Sequence, residues 1–146
     1  MRETPARVPY LQALALLAQA NGLLLVGSDE AHYTASKIYP NLMAGRPYVS
    51  LFHAGSSAHA ILAAAGGGVA LAFDDAAGIA VQQDALERAL ERIADAPESF
   101  ATADPAAYAA FTNTGVAGAY AALFDRLTGQ VPRPAARDAA EDAHDR

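Results

Sequence analysis

The chain of 146 residues contains no cysteine and no tryptophan. Without cysteine it can form no disulfide, no thiolate metal site and no cysteine nucleophile. Its longest apolar runs, residues 23–26, 60–65 and 69–73, are far shorter than the roughly 20 residues that a membrane-spanning helix needs. The first residues include Glu3 and Pro5 and precede no apolar segment typical of a signal peptide. We therefore expect a cytoplasmic protein with no membrane span.

Positive charge is also scarce. Ten basic residues stand against 16 acidic ones, which gives a net charge of −6, and Lys37 is the only lysine. This balance argues against a nucleic-acid partner, because such partners are bound through clustered positive charge. Residues 21–73 carry no net charge and are predicted to form buried elements, whereas residues 74–104 carry −6 and are typical of a solvated helix.

The apolar runs alternate with helical patterns. Residues 8–20 have helical spacing and end at Asn21-Gly22, and the continuous run Leu23–Val26 is typical of a strand buried on both faces. The same pattern predicts helices at 36–44 and 57–65 and strands at 48–52 and 69–73. Strand starts near 23, 48 and 69 have the spacing of consecutive parallel βαβ units. Further helices are predicted at 82–95, 105–112 and 116–128.

Three parallel strands are fewer than the five or six of a usual doubly wound domain. The chain is therefore predicted to be an α/β protein whose residues 1–129 form a partial Rossmann-like domain with flanking and C-terminal helices. It would be the second half of such a domain, or a domain that another chain completes, because an unpaired parallel edge is a liability. Residues 130–146 are predicted to be a disordered tail.

The loop after the first predicted strand concentrates polar side chains at the sheet edge where α/β proteins bind ligands. Lys37 has the wrong sign for a helix start, and a bound anion would remove that conflict. The alternative is that Ser36 is an ordinary N-cap and that Lys37 extends into solvent. The candidate binding residues of this loop are Ser28, Asp29, Glu30, His32, Tyr33, Thr34, Ser36 and Lys37.

The loop after the second predicted strand, residues 53–57, supplies another candidate, His53, and Gly55 would let a ligand approach the backbone. A simple capped turn explains this loop equally well. Asp74-Asp75, after the third strand, could hold a hydroxylated ligand or form a solvated turn. His53 and His59 have no partner at metal-ligand spacing, so we expect no metal site.

Residues 36–49, Ser-Lys-Ile-Tyr-Pro-Asn-Leu-Met-Ala-Gly-Arg-Pro-Tyr-Val, resemble the donor-site segment of retaining GT-B glycosyltransferases, family-4-like (glycosyl transferases group 1). That segment follows the pattern Ser/Pro-x-Lys-aliphatic-x-Glu-Tyr-x-Ala-x-Gly-x-Pro-Val. The lysine, glycine and proline fall in register here, and Ala44 lies one position after the alanine of the pattern. The two glutamates of the family would align with His32 and Pro40, so neither is present.

The resemblance implies the C-terminal domain of a glycosyltransferase of the hexosyltransferase type, with a nucleotide-diphosphate sugar as donor substrate and no cofactor. Lys37 would lie near the diphosphate or ribose, and loop 28–34 would face the sugar and phosphates. The resemblance also implies a missing N-terminal acceptor domain or partner subunit, without which the chain is inactive. The alternative is a non-catalytic half-domain that completes or regulates another subunit.

Overall fold

The computed structural model describes residues 6–32 and 36–129, which form two compact units, one ending at Tyr108 and one beginning at Ala109. The division falls inside the segment predicted as one domain, and the predicted tail at 130–146 lies outside the described residues. The first unit contains α1 (Tyr10–Gln19), β1 (Leu23–Val26), α2 (Ile38–Met43), β2 (Tyr48–His53), α3 (Ser57–Ala65), β3 (Gly68–Phe73) and α4 (Gln83–Asp95). Short 3-10 segments occur at Ile79–Gln82, Pro97–Ser99 and Pro105–Phe111.

The three strands form one parallel sheet in the order β1-β2-β3. Leu23 of β1 pairs with Tyr48 of β2, and Tyr48 pairs with Gly68 of β3. The prediction of an α/β protein with three parallel strands and flanking helices is confirmed, and the arrangement is compatible with a Rossmann-like fold. Each strand begins within one residue of its predicted start, at residues 23, 48 and 68.

Helices cover both faces of β2, and each face has its own core. The strand β1 is covered on one face only, since Leu24 and Val26 are exposed, so the prediction that it is buried on both faces is wrong. On one face, Phe52 of β2 packs with Ile38 of α2 and Leu62 of α3. On the other face, Leu51 of β2 packs with Ala89 of α4. Every residue of β2 is buried, so the central strand lies between two helical layers.

Tyr48 anchors β2 to the end of α3. Its ring is almost fully buried, and its hydroxyl lies 2.6 Å from the Leu62 carbonyl oxygen and 2.8 Å from that of Gly66. The single hydroxyl proton is therefore shared between two carbonyls near the end of α3, and the Leu62 carbonyl also accepts from the Gly66 amide over 3.2 Å. Burial raises the pKa of Tyr48 to about 12, because the phenolate would lose its hydration.

The turn between α3 and β3 depends on two left-handed glycines, Gly66 (φ +63°) and Gly67 (φ +78°). A side chain at Gly67 would lie 2.5 Å from the backbone nitrogen of Ala103. The next amide, that of Asp104, donates to the Ala65 carbonyl oxygen over 2.7 Å. The glycines thus let a distant segment of backbone pack against the end of α3.

Helix α2 is shorter than the predicted span of 36–44. It begins at Ile38 after Lys37, whose backbone is already helical and whose side chain makes no capping hydrogen bond. Ser36 lies exposed in the preceding turn. Pro40 is the third helical residue and has no N–H, which removes one of the amides that a capping side chain would satisfy.

The second unit contains α5 (Asn113–Thr128), which begins three residues before the predicted start. The Thr112 side chain accepts a hydrogen bond from the Gly115 amide over 3.1 Å, and this cap fixes the earlier start. Among residues 6–32 and 36–129, no helix has the length and apolar character needed to cross a membrane.

Tyr48→Phe is expected to lower the free energy of unfolding by about 1–3 kcal/mol, because the Gly66 carbonyl oxygen loses the hydroxyl donor and the Leu62 carbonyl oxygen keeps only the Gly66 amide. Chemical denaturation followed by circular dichroism measures this change. Tyr10→Phe is the matched control, since Tyr10 is 72% exposed on α1. An equal effect of both substitutions would contradict the anchoring role of Tyr48.

The same variant changes the response to alkali. Because the folded-state pKa of Tyr48 is raised to about 12 from the ordinary value of 10.0, its contribution to stability is complete below pH 10. That contribution is lost as the pH rises from 10 to about 12. Tyr48→Phe is therefore expected to lose less stability over this interval than the parent protein does.

Candidate functional site

Three loops meet at the carboxyl edge of the sheet, because all three strands point the same way. The loops follow β1 at 27–32, β2 at 54–56 and β3 at 74–78. The Ala54 amide donates to the Phe73 carbonyl oxygen over 2.8 Å, which ties the second loop to the third. The first and third loops flank a shallow, open cavity of about 340 Å³ lined by Gly27, Asp29, Phe73, Asp74, Asp75, Gly78 and Ile79.

His53, the last residue of β2, is held in one orientation beside this cavity. Its Nδ1 accepts a hydrogen bond from the Gly55 amide over 3.0 Å, which assigns the proton of the neutral ring to Nε2. Its ring also packs edge-on against Phe73, with centroids 5.7 Å apart. Nε2 is buried without a hydrogen-bond partner and lies 3.6 Å from Asp75 Oδ1. The neutral ring therefore directs its Nε2 proton toward the side of His53 on which Asp75 lies.

The two aspartates after β3 have different environments. Asp74 Oδ1 accepts hydrogen bonds from the amides of Ala76 (3.0 Å) and Ala77 (2.7 Å), so Asp74 shapes the turn. The Asp75 side chain is 94% exposed, and no hydrogen bond holds its carboxylate among the described residues. Asp75 therefore lies 3.6 Å from His53 Nε2 and otherwise faces solvent.

The loop after β1 is organised by local hydrogen bonds. Ser28 Oγ donates to Asp29 Oδ1 over 3.2 Å and accepts from the Glu30 amide over 3.1 Å. Asp29 therefore lies on the cavity with its carboxylate oriented by a neighbouring hydroxyl. Glu30 and His32 are exposed further along the loop.

Lys37 lines a second cleft, of about 250 Å³, together with Leu24, Leu25, Val26, Ile38, Asn41 and Phe52. The Asn41 amide group donates to the Lys37 carbonyl oxygen over 2.7 Å, which fixes Asn41 on this side of α2. Phe52 connects the cleft to the cavity, since a side chain at Gly27 would lie 2.3 Å from the Phe52 ring. Gly27 of the cavity is thus in contact with Phe52 of the cleft. The cleft is lined by a lysine, whereas the cavity is lined by three aspartates.

The loop after β2 ends in a helix cap. Ser56 is buried, and its Oγ accepts a hydrogen bond from the His59 amide over 3.1 Å. The interpretation of residues 53–57 as a capped turn is therefore correct for Ser56. The same short loop also orients His53 through the Gly55 amide. A capped turn and a candidate binding residue at His53 are therefore compatible.

The predicted site residues are brought together only in part. Asp29 lines the cavity and His53 lies beside it, whereas Lys37 lines the neighbouring cleft. Ser36 is exposed, and Tyr33 and Thr34 lie outside the described residues. Asn41 was missed by sequence reasoning, and its only signal is its position one helical turn after Lys37. No group of three or more histidine, aspartate or glutamate residues in the described part of the chain could hold a metal ion.

Comparison with known proteins gives no relative: no protein-family model, no curated protein and no solved structure matches the chain.

Gly27→Ala is expected to lower the free energy of unfolding by about 1–3 kcal/mol, because the added methyl group would overlap the buried Phe52 ring. Gly55→Ala is the matched control within the same group of loops. The nearest atom there lies 3.3 Å away, and the lower entropy of the unfolded chain offsets the tighter packing. The double variant Gly27→Ala with Phe52→Leu should lower the free energy of unfolding by less than the sum of the two single variants.

Proposed function

We propose that this chain is the donor-binding half of a GT-B glycosyltransferase and that it binds a nucleotide-diphosphate sugar at the carboxyl edge of its sheet. The proposed reaction transfers the sugar to an acceptor held by an N-terminal domain or partner subunit, so the chain alone is inactive. The observation that carries the proposal is the position of Lys37. It stands at the lysine position of the family segment and lines a cleft beside the carboxyl end of β1.

The chemistry of glycosyl transfer gives Lys37 a role. The bond between the anomeric carbon and the diphosphate breaks, a bond to the acceptor oxygen forms, and negative charge grows on the leaving diphosphate. A fixed positive charge lowers the energy of that charge separation. The Lys37 ammonium is exposed and pairs with no carboxylate in the described part of the chain, so it is available to an anion.

Lys37→Ala is expected to weaken binding of a nucleoside diphosphate by about five- to tenfold, which corresponds to roughly 1 kcal/mol for a solvent-exposed charge pair. Titration calorimetry with UDP, GDP and ADP and with their hexose conjugates measures the change. Arg88→Ala is the matched control, because it removes the same charge from an exposed position on α4. Equal affinities in the Lys37 variant and the parent would refute the proposed role.

A second candidate is a non-catalytic half-domain that completes another subunit, and the exposed edge of the sheet favours it. Leu24 and Val26 of β1 are 57% and 64% exposed, although their partners in β2, Val49 and Leu51, are buried on the same face. Within residues 6–32 and 36–129, no strand pairs with the outer edge of β1. An apolar strand with no charged residue or proline normally has a partner.

Val26→Lys tests this second candidate. We expect the parent chain to self-associate through β1 and the variant to sediment as a monomer, because a lysine on an edge strand opposes strand pairing. The control is Leu16→Lys, which adds the same charge at an exposed position of α1. A parent chain that sediments as a monomer at all concentrations would argue against a required partner.

A further inference from the structure

We propose that the partner of the β1 edge is a second copy of this chain, paired antiparallel with it across a two-fold axis to form one continuous sheet. Each copy contributes its three strands, with the two β1 strands at the centre. The inference rests on the second candidate function, which it deepens by naming the direction of pairing and the residues that meet. It does not depend on nucleotide binding at Lys37.

The unpaired backbone groups of β1 are set by its register with β2. The amides of Leu23 and Gly27 donate to carbonyl oxygens of β2, each over 2.9 Å. Alternate residues of a strand direct their backbone groups to the same side, so the residues between them face the other way. Leu24 and Val26 therefore each direct one N–H and one C=O group away from the sheet, and no other described strand reaches them.

These groups select one antiparallel register. Residues that face each other across an antiparallel pair exchange both backbone hydrogen bonds. Only one such register pairs both outward-facing residues within β1 itself: Leu24 lies opposite Val26 of the second copy, and Leu25 lies on the axis. The two-fold axis repeats the same pair in reverse, so the edge is complementary to itself, as an isologous interface requires.

The side chains fit the same register. Leu24 and Val26 are more than half exposed and lie on the same face of the sheet. In the pair, each of these aliphatic side chains lies directly opposite the other type on the second copy. Aliphatic pairs across antiparallel strands stabilise the pairing, and each copy covers apolar surface of the other.

Helix α2 supplies a polar contact along the same edge. Lys37 and Asn41 line the cleft beside β1, and α2 returns the chain toward the amino edge of the sheet. Lys37 therefore lies toward Val26 and Asn41 toward Leu24. Since Val26 pairs with Leu24 of the second copy, Lys37 of each copy lies beside Asn41 of the other.

Asn41 has the acceptor that this contact needs. Its Nδ2 donates to the Lys37 carbonyl oxygen over 2.7 Å, which leaves Oδ1 as an acceptor that receives no hydrogen bond from the described residues. The ammonium group of Lys37 has donors only. Lys37 of one copy can thus donate to Asn41 Oδ1 of the other, and the two-fold axis provides the contact twice.

The opposite edge of the sheet is less suited to a second copy. The Gln82 side chain donates to the Ala72 carbonyl oxygen over 2.6 Å, which occupies an acceptor on the outer side of β3. Residues 74–104, which follow β3, carry a charge of −6, whereas residues 21–27 carry none. Pairing at β1 therefore joins two uncharged strands, whereas pairing at β3 would bring two strongly acidic segments together.

Cysteine cross-linking tests the register on a clean background, because the chain contains no cysteine. Leu24→Cys and Val26→Cys each replace an exposed side chain. In the proposed register, residues 24 and 26 of different copies have Cβ atoms about 5 Å apart, whereas equal-numbered residues lie on a diagonal of about 7–8 Å. A disulfide needs Cβ atoms about 4 Å apart. Oxidation of an equimolar mixture of the two variants should therefore yield several-fold more covalent dimer than oxidation of either alone.

The control mixture contains Leu24→Cys and Leu16→Cys, since Leu16 is an exposed residue of α1. It should yield only the background level of covalent dimer. Equal yields from the Leu24→Cys and Val26→Cys mixture and from either variant alone would overturn the register.

A charge change tests the contact between Lys37 and Asn41. Asn41→Lys places a second cation beside Lys37 of the other copy, twice across the axis, so dimerisation measured by sedimentation is expected to weaken about fivefold or more. Mixing this variant with Lys37→Glu should restore association, because the new lysine then faces a carboxylate on the other chain. Arg88→Glu makes the same charge change on α4 and should not restore it. Restoration by both variants, or by neither, would refute the contact.

The outcomes separate this inference from the proposed functions. If the chain associates and cross-links form equally in each single variant, the register is refuted and the second candidate stands. If the chain remains a monomer at all concentrations, this inference and the second candidate are both refuted. Neither result changes the donor-binding proposal, which calorimetry with nucleoside diphosphates tests separately.

Discussion

The complete burial of β2 is the constraint on which the rest of the first unit depends. All six of its residues are buried, so each face of the strand needs a helical layer and each edge needs a neighbouring strand. Tyr48 extends this constraint to α3, because its hydroxyl satisfies carbonyls at the end of that helix. The parallel direction of β1 and β3 then follows from the helices that connect the strands across the faces.

That constraint also creates the candidate site. Parallel strands send all three following loops to one edge, where a buried histidine from β2 lies 3.6 Å from Asp75 of the loop after β3. The opposite charge characters of the cavity and the Lys37 cleft arise because they are built from different loops. Gly27 keeps the two in contact, since only a residue without a side chain can pack against Phe52 there.

The sequence predicts the strands well because their signal is local: a continuous apolar run bounded by glycines suffices to locate β1 and β3. The start of α2 was predicted two residues too early, since serine is a residue type typical of an N-cap, whereas in the structure Lys37 holds the cap position and the helix begins at Ile38. The site was predicted in part. The order of strands and loops identifies Asp29 and His53. The tautomer of His53 and the exposure of the Asp75 side chain depend on three-dimensional contacts that no residue spacing encodes.

The glycine turn between α3 and β3 has a consequence for how this sequence can diverge. Any side chain at Gly67 would meet the backbone of Ala103, and a backbone cannot move aside as a flexible side chain can. Substitutions at residue 67 are therefore excluded unless the segment around residue 103 shifts at the same time. Relatives of this chain should retain glycine there even where the residues of the binding loops have changed completely, which makes this turn a better marker of descent than the site itself.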